Sequence, residues 1–345
     1  MENTGKIPSA PTVMEAMDIP REQKTRSFFM NPRTWKRLLP LAVSGAILAY
    51  LFWHIDIRQC INALFNSDMR LYVPAVLVLI LATFLLDTQN LAATLKHFHY
   101  PLSWKNAFTL RGVTYLIMTI DYSVGMGVLI YYLKKHLGIP VMRSTGLMTF
   151  FNGITQKALV YMSIIGLLIL SPASALLNNL LMFFIGFAVL DFLFIVALKK
   201  LPSRGLALKI KNLNLLKVFH EASWSTYAVL LFWRTVYYSF FIIFFYVAVR
   251  AFNMQIPLVA LVAYVPIILL VISLPIAPGG FGTAQATMLI LFKDYGNNTE
   301  IMAFGLTYTT SILVLRYLIG LSFAKHIKGL PSGENDPSKQ GIEEG

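Results

Sequence analysis

Six stretches of this chain are apolar for long enough to cross a bilayer as helices, which leaves few folds open. A spanning helix needs about 20 apolar residues at 1.5 Å rise each, and residues 38–55, 71–95, 146–170, 176–198, 225–249 and 301–323 meet that test. Backbone in hydrocarbon has no water to bond, so each run must satisfy its own N–H and C=O groups as helix. The expected fold is all-α, a polytopic helical membrane protein. Composition agrees: 13% of the 345 residues are charged and 57% hydrophobic, against about 25% charged in a soluble domain, and the mean hydropathy is +0.64.

Two further apolar regions, 108–133 and 257–292, are each interrupted by a glycine-rich break. The first break is DYSVGMG at 121–127, with Asp121, Gly125 and Gly127. The second is PIAPGGFG at 275–282, with Pro275, Pro278, Gly279, Gly280 and Gly282. Non-helical backbone persists at membrane depth where it lines a cavity or pathway, so the two regions read as broken helices or re-entrant hairpins, and the breaks as the place to look for function.

Charge placement sets an orientation. Lysines and arginines crowd the N-terminal segment, the connections 96–105, 134–143 and 199–217, and the segment 325–328, whereas 56–70, 171–175 and 293–300 carry few or balanced charges. The positive-inside rule then puts both termini on the cytoplasmic side of the cytoplasmic membrane. Residues 1–37 read as a polar cytoplasmic tail, not a signal peptide, residues 38–324 as the membrane domain, and 325–345 as a second polar tail. Within the domain, 38–170 repeats as 176–324 starting from the opposite face. Aligning Gly125 with Gly280 gives an offset of 155 residues, which carries residue 38 to 193 and 146 to 301, inside or at the start of predicted spans. This is the pattern of an inverted-topology repeat, which places a site near mid-bilayer where the broken elements meet. The connection 199–222 alternates basic and apolar residues and reads as an amphipathic helix on the inner leaflet.

Ionisable residues inside spans need a partner, water or a function. Asp87, Asp121, Lys157, Asp191, Arg234 and Arg316 are of this kind. Asp121 and Lys157 are expected to couple beside the pathway. Arg234 suits a lipid phosphate through its planar, always-charged fork, with a structural pair such as Asp191 with Arg234 as the plainer alternative. Arg316, near the inner end, reads as a snorkelling side chain.

The net charge of +13 sits in short segments beside apolar runs, which points to anionic lipid headgroups and not to nucleic acid. The single cysteine, Cys60, excludes an internal disulfide, and no Cys/His spacing suggests a metal. No nucleophile, acid/base or cofactor motif is present, so neither an enzyme nor a cofactor is expected.

The stretch 274–282 (LPIAPGGFG), followed by a helix, a short loop and a last span, is similar to the proline and glycine-glycine-x-glycine signature of the transmembrane, flippase-like region of lysylphosphatidylglycerol synthases. Gly125, Gly127, Tyr131, Tyr132 and Leu133 resemble its first break. The resemblance covers most of 38–323 and implies a lipid-handling membrane core. It does not imply the synthase reaction, whose soluble domain has no room in 345 residues. Family members often carry a glutamate after each glycine motif, where this chain has Val128 and Gln285, and an acidic-basic pair where it has Gln156 and Lys157. The expected substrate pathway comprises Asp121, Gly125, Gly127, Lys157, Arg234, Pro275, Pro278, Gly279, Gly280, Gly282 and Gln285. The expected function is translocation or presentation of a phosphate-bearing phospho- or glycolipid. The alternative is a non-transporting subunit that holds lipid for a separately encoded glycosyl- or aminoacyl-transferase.

Overall fold

Residues 69–97 stay helical for 29 residues, because the segment has no glycine, its one proline, Pro74, sits near its start, and Asp68 caps it, accepting from the N–H groups of Arg70 (3.0 Å) and Leu71 (3.3 Å). Similar local chemistry starts two later spans: Ser223 accepts from Thr226 N at 3.0 Å, and Asn297 and Glu300 form a reciprocal capping box. The computed structural model of the protein describes residues 57–120, 122–171, 174–200, 213–274, 277 and 280–325. The chain divides into two units, Met1–Leu39 and Pro40–Gly345, and all described residues lie in the second.

The described residues form eleven helices and no strand: α1 Ile57–Phe65, α2 Met69–His97, α3 Trp104–Ile120, α4 Tyr122–Leu137, α5 Val141–Leu170, α6 Ala175–Lys200, α7 Asn214–Glu221, α8 Trp224–Ala251, α9 Leu258–Ser273, α10 Thr283–Phe292 and α11 Asn298–Ser322. Five of them, α2, α5, α6, α8 and α11, are long and apolar enough to cross a membrane. The sixth expected span, 38–55, lies outside the described residues. The protein is a polytopic helical membrane protein, as its apolar runs predict.

Two apolar clusters divide the core of the bundle. One gathers Leu95 and Phe98 at the end of α2, Leu102 before α3, Leu133 and Ile139 around the end of α4, and Phe150, Val218 and Tyr227. Thus α3 begins and α4 finishes at the same end, and the pair is a hairpin. The second cluster holds Tyr72, Leu167, Leu177, Phe252, Leu261, Phe292 and Ile301, and Tyr264 in the first half of α9 meets Phe292 at the end of α10, ring centroids 6.2 Å apart, so α9 begins and α10 finishes at the opposite end. At 17, 16, 16 and 10 residues, these four helices reach about 26, 24, 24 and 15 Å, each short of a hydrocarbon layer of about 30 Å.

The halves pack reciprocally. The most extensive helix contact joins α5 to α9, the last span of the first half against the first hairpin helix of the second; α11 joins α3 in the same way, and α2 packs on its counterpart α8. A glycine sits at each of the two hairpin crossings. A Cβ on Gly166 would lie 2.5 Å from Ala263 Cα, and one on Gly320 would lie 2.5 Å from Leu116 N, so side-chain-free backbone sets the approach of both hairpins. The caps Asp68 and Ser223 are 155 residues apart, the offset of the glycine motifs. α1 is the counterpart of α7: it packs on α11 as α7 packs on α5.

One expectation changes. Gly125 and Gly127 lie within helix α4, not in irregular backbone, and a Cβ on Gly125 would collide with the Met118 side chain of α3; the glycine serves hairpin packing. Within the 199–222 connection, α7 docks on the bundle: Val218 is fully buried, Phe219 packs on Phe150 at 5.3 Å between ring centroids, and Glu221 pairs with Arg143. Residues 201–212 lie outside the described residues.

Candidate functional site: a buried arginine cluster

Helix α2 carries four buried polar residues besides Asp87, and each bonds its own helix: Thr83 to Leu79 O (2.7 Å), Thr88 to Phe84 O (2.9 Å), Asn90 to Leu86 O (2.9 Å) and Thr94 to Asn90 O (2.7 Å). Such i−4 bonds hide polarity from neighbours. Asp87 instead reaches two other helices. Its Oδ2 meets Arg111 Nη2 of α3 at 2.6 Å and its Oδ1 accepts from Arg234 Nη1 of α8 at 2.9 Å; the Tyr115 hydroxyl donates to Oδ2 at 3.4 Å. All three charged residues are buried, Asp87 and Arg111 at 6% exposure and Arg234 at 4%.

Aromatic rings form the walls. Both guanidinium groups face Phe151 of α5, Arg234 at 4.2 Å and Arg111 at 5.3 Å from the ring centroid, and Arg234 also faces Tyr237 at 5.2 Å. Arg316 of α11 lies 5.5 Å from the Tyr115 ring. These separations are in cation–π range. Arg316 has no acidic partner among the described residues, and the Nε atoms of Arg111, Arg234 and Arg316 are buried without a hydrogen bond. Among the described residues the cluster therefore holds three guanidinium groups and one carboxylate, a surplus of two positive charges.

The cluster lies close to mid-depth. Asp87 is ten residues before the end of α2 and Arg234 ten residues after the start of α8, so each is about 15 Å in from the Leu95–Tyr227 end. Both breaks are close along the helices. Tyr115 is five residues, about 7.5 Å, from the end of α3. Arg316 is seven residues, about 10 Å, from Thr309, which belongs to the brace of the second break.

That brace is Gln285. Gly280 (φ 76°) and Gly282 (φ 84°) take up the left-handed region that L side chains avoid. The Gly282 N–H donates to Gln285 Oε1 at 2.7 Å, and Gln285 Nε2 donates to Gly305 O (3.1 Å) and Thr309 Oγ1 (3.0 Å). The amide is fully buried, with its oxygen and nitrogen both bonded, so it pins the break to α11. Gln156 of α5 donates to Ser273 Oγ at 3.0 Å, holding the end of α9.

Asp87, Arg234 and Arg316 stand out as charges in apolar runs, but their pairing differs from expectation. Lys157 is spent on Asp191 at 2.5 Å, joining α5 to α6, and Arg234 takes Asp87, not Asp191. The expected partner of Lys157, Asp121, lies outside the described residues, as do Pro275, Pro278 and Gly279. Arg316 is half-buried against Tyr115 and does not snorkel. Arg111 goes unrecognised because it falls at the edge of a broken apolar region and reads as an interfacial charge. No group of three or more His, Cys, Asp or Glu side chains able to hold a metal occurs among the described residues.

Compared with known proteins, the chain matches no curated sequence and no solved structure. Against protein families, residues 37–320 match the model of the lysylphosphatidylglycerol synthase TM region, covering most of the chain and both hairpins. The chain belongs to the lysylphosphatidylglycerol synthase TM region family.

Proposed function

We propose that this protein translocates or presents a phosphate-bearing lipid between the leaflets of the cytoplasmic membrane, its headgroup passing between the two hairpins. The observation that carries the reading is the arginine surplus at mid-depth. A charged side chain near the centre of a spanning helix costs about 2.5–3.5 kcal/mol on insertion scales, so surplus cations there call for an anion. Arginine forks bond phosphate oxygens in fixed geometry. The reciprocal packing of α5 on α9 and α11 on α3 supports two-sided access, since inverted repeats work by moving one half against the other around a central site. Lys96, Lys134, Lys135, Lys199 and Lys200 close the helices that finish at the Leu95–Tyr227 end, which supports a cytoplasmic position for that end and for both termini. In this reading the protein makes and breaks no bonds.

The family description, a synthase's TM region, supports a second reading, that the protein holds lipid for a separately encoded glycosyl- or aminoacyl-transferase. Purified protein in liposomes with a labelled anionic lipid separates the two. Protein-dependent leaflet exchange, lost in Arg234→Gln, is the expected result. No exchange across a panel of lipids, together with co-purification of a stoichiometric transferase, would replace translocation by the second reading.

A further inference from the structure

The phosphate reading leaves open which kind of phosphate the site takes. Phosphodiester headgroups present one negative charge and two terminal oxygens. Phosphomonoester headgroups present three terminal oxygens and, with a second pKa near 6, a charge of about −1.5 to −2 at pH 7. Among the described residues the cluster carries two positive charges beyond those balanced by Asp87, and three buried Nε–H donors, on Arg111, Arg234 and Arg316, that make no hydrogen bond. Asp87 already occupies one Nη of Arg111 and one of Arg234, so the three Nε–H groups are the donors left for an anion that keeps this carboxylate in place.

We propose that the site selects a terminal, dianionic phosphate, the headgroup of a lipid phosphomonoester, over phosphodiester headgroups. The inference rests on the phosphate reading above and adds the class of headgroup. A dianion cancels the surplus, whereas a phosphodiester leaves one cation uncompensated at a depth where water cannot screen it. The three donors come from α3 and α11, which pack together, and from α8, so a headgroup held by all three joins elements of both halves. Among the described residues the ionisable groups around it are Asp87, Arg111, Tyr115, Arg234, Tyr237, Tyr238, Tyr308 and Arg316, and the headgroup itself titrates over pH 5–8.

The test uses the full chain in phosphatidylcholine nanodiscs, with chain-labelled phosphatidate and phosphatidylglycerol of identical acyl chains as probes. Phosphatidate is expected to bind at least about tenfold more tightly at pH 7.5, a difference of about 1.4 kcal/mol. The preference shrinks towards pH 5 as the headgroup regains its second proton, and falls to within about threefold in Arg316→Gln. Arg316→Lys, which keeps the charge and loses the fork, retains part of it and serves if the glutamine variant fails to fold. Equal affinities in the wild type, or a preference untouched in both Arg316 variants, would overturn the proposal. A preference that emerges only in Asp121→Asn would also overturn it, by showing that Asp121 supplies a second carboxylate. Competition by inorganic phosphate as effective as that by phosphatidate supports the site and assigns it to a soluble phosphate. Leaflet exchange without headgroup preference defeats this inference alone; selective binding without exchange defeats translocation alone.

Discussion

Asp87 and Arg234, 147 residues apart in the chain, meet at 2.9 Å inside the bundle, and the same carboxylate holds Arg111 at 2.6 Å. One side chain of the first half thus fixes a hairpin helix of its own half and a span of the other. Pairs buried this deeply offer little net stability over an apolar replacement, but removing one partner leaves an uncompensated charge.

Asp87→Asn is therefore expected to destabilise the protein by about 3–5 kcal/mol, because two arginines lose their shared counter-charge and a third stands nearby. Thermal unfolding in detergent measures it. Combining Asp87→Asn with Arg111→Gln should recover part of the loss, since one surplus cation goes with the carboxylate. A double variant whose loss equals the sum of the two single losses would show that Arg111 and Asp87 act independently.

Gly166→Leu and Gly320→Leu are expected to be destabilising to similar degrees, by about 1–3 kcal/mol or more, because each forces a side chain into the backbone of the opposing hairpin, at Ala263 and at Leu116. Gly127→Leu is the control: a Cβ there meets nothing within 4 Å, and its effect should be a few tenths of a kcal/mol. The comparison is read by thermal unfolding of the three variants side by side.

How much of this was legible in the sequence depends on the range of the interaction. Length and hydropathy set the spans, because a helix in lipid satisfies its backbone within itself. The 155-residue offset survived because glycine is the residue that fits both left-handed turns such as Gly280 and close crossings such as Gly166. The partners did not follow. Nothing local tells Asp87 from Asp191 as the mate of Arg234; rotation of each helix about its axis decides it, and neighbours far along the chain set that rotation. α1 escaped for another reason: IRQCINALF is a nine-residue amphipathic segment, too short for a span and easily read as loop. Gln285 stood out as a missing glutamate, yet its role as a brace depends on Gly305 and Thr309, twenty and twenty-four residues away.

Gln285→Glu tests that role. The amide donates from Nε2 to two acceptors and accepts from Gly282; a carboxylate accepts but does not donate, and it would face the Gly305 carbonyl unpaired. A buried polar group left without its partner costs about 1–3 kcal/mol, and more when charged. Lower thermal stability and faster proteolysis across 274–282 are expected, with Gln285→Leu milder because it buries no charge. Equal stability of Gln285→Glu and wild type would mean that the break is not held by this side chain.

Lys157 and Asp191 offer the sharpest separation of scaffold from pathway. The pair joins α5 to α6 at 2.5 Å, and a balanced pair has no surplus charge for a headgroup. Lys157→Met alone should cost about 3–5 kcal/mol and Asp191→Leu alone up to as much, while the double variant should be near neutral or more stable, since apolar replacement of the buried Lys157 and the part-buried Asp191 removes their desolvation penalty. If the pair is scaffold, lipid exchange by the double variant matches the wild type; if Lys157 neutralises headgroup charge, exchange falls although stability is restored. The first outcome is expected, because the unpartnered cationic surplus gathers around Asp87, on α3, α8 and α11, and not at the α5–α6 contact.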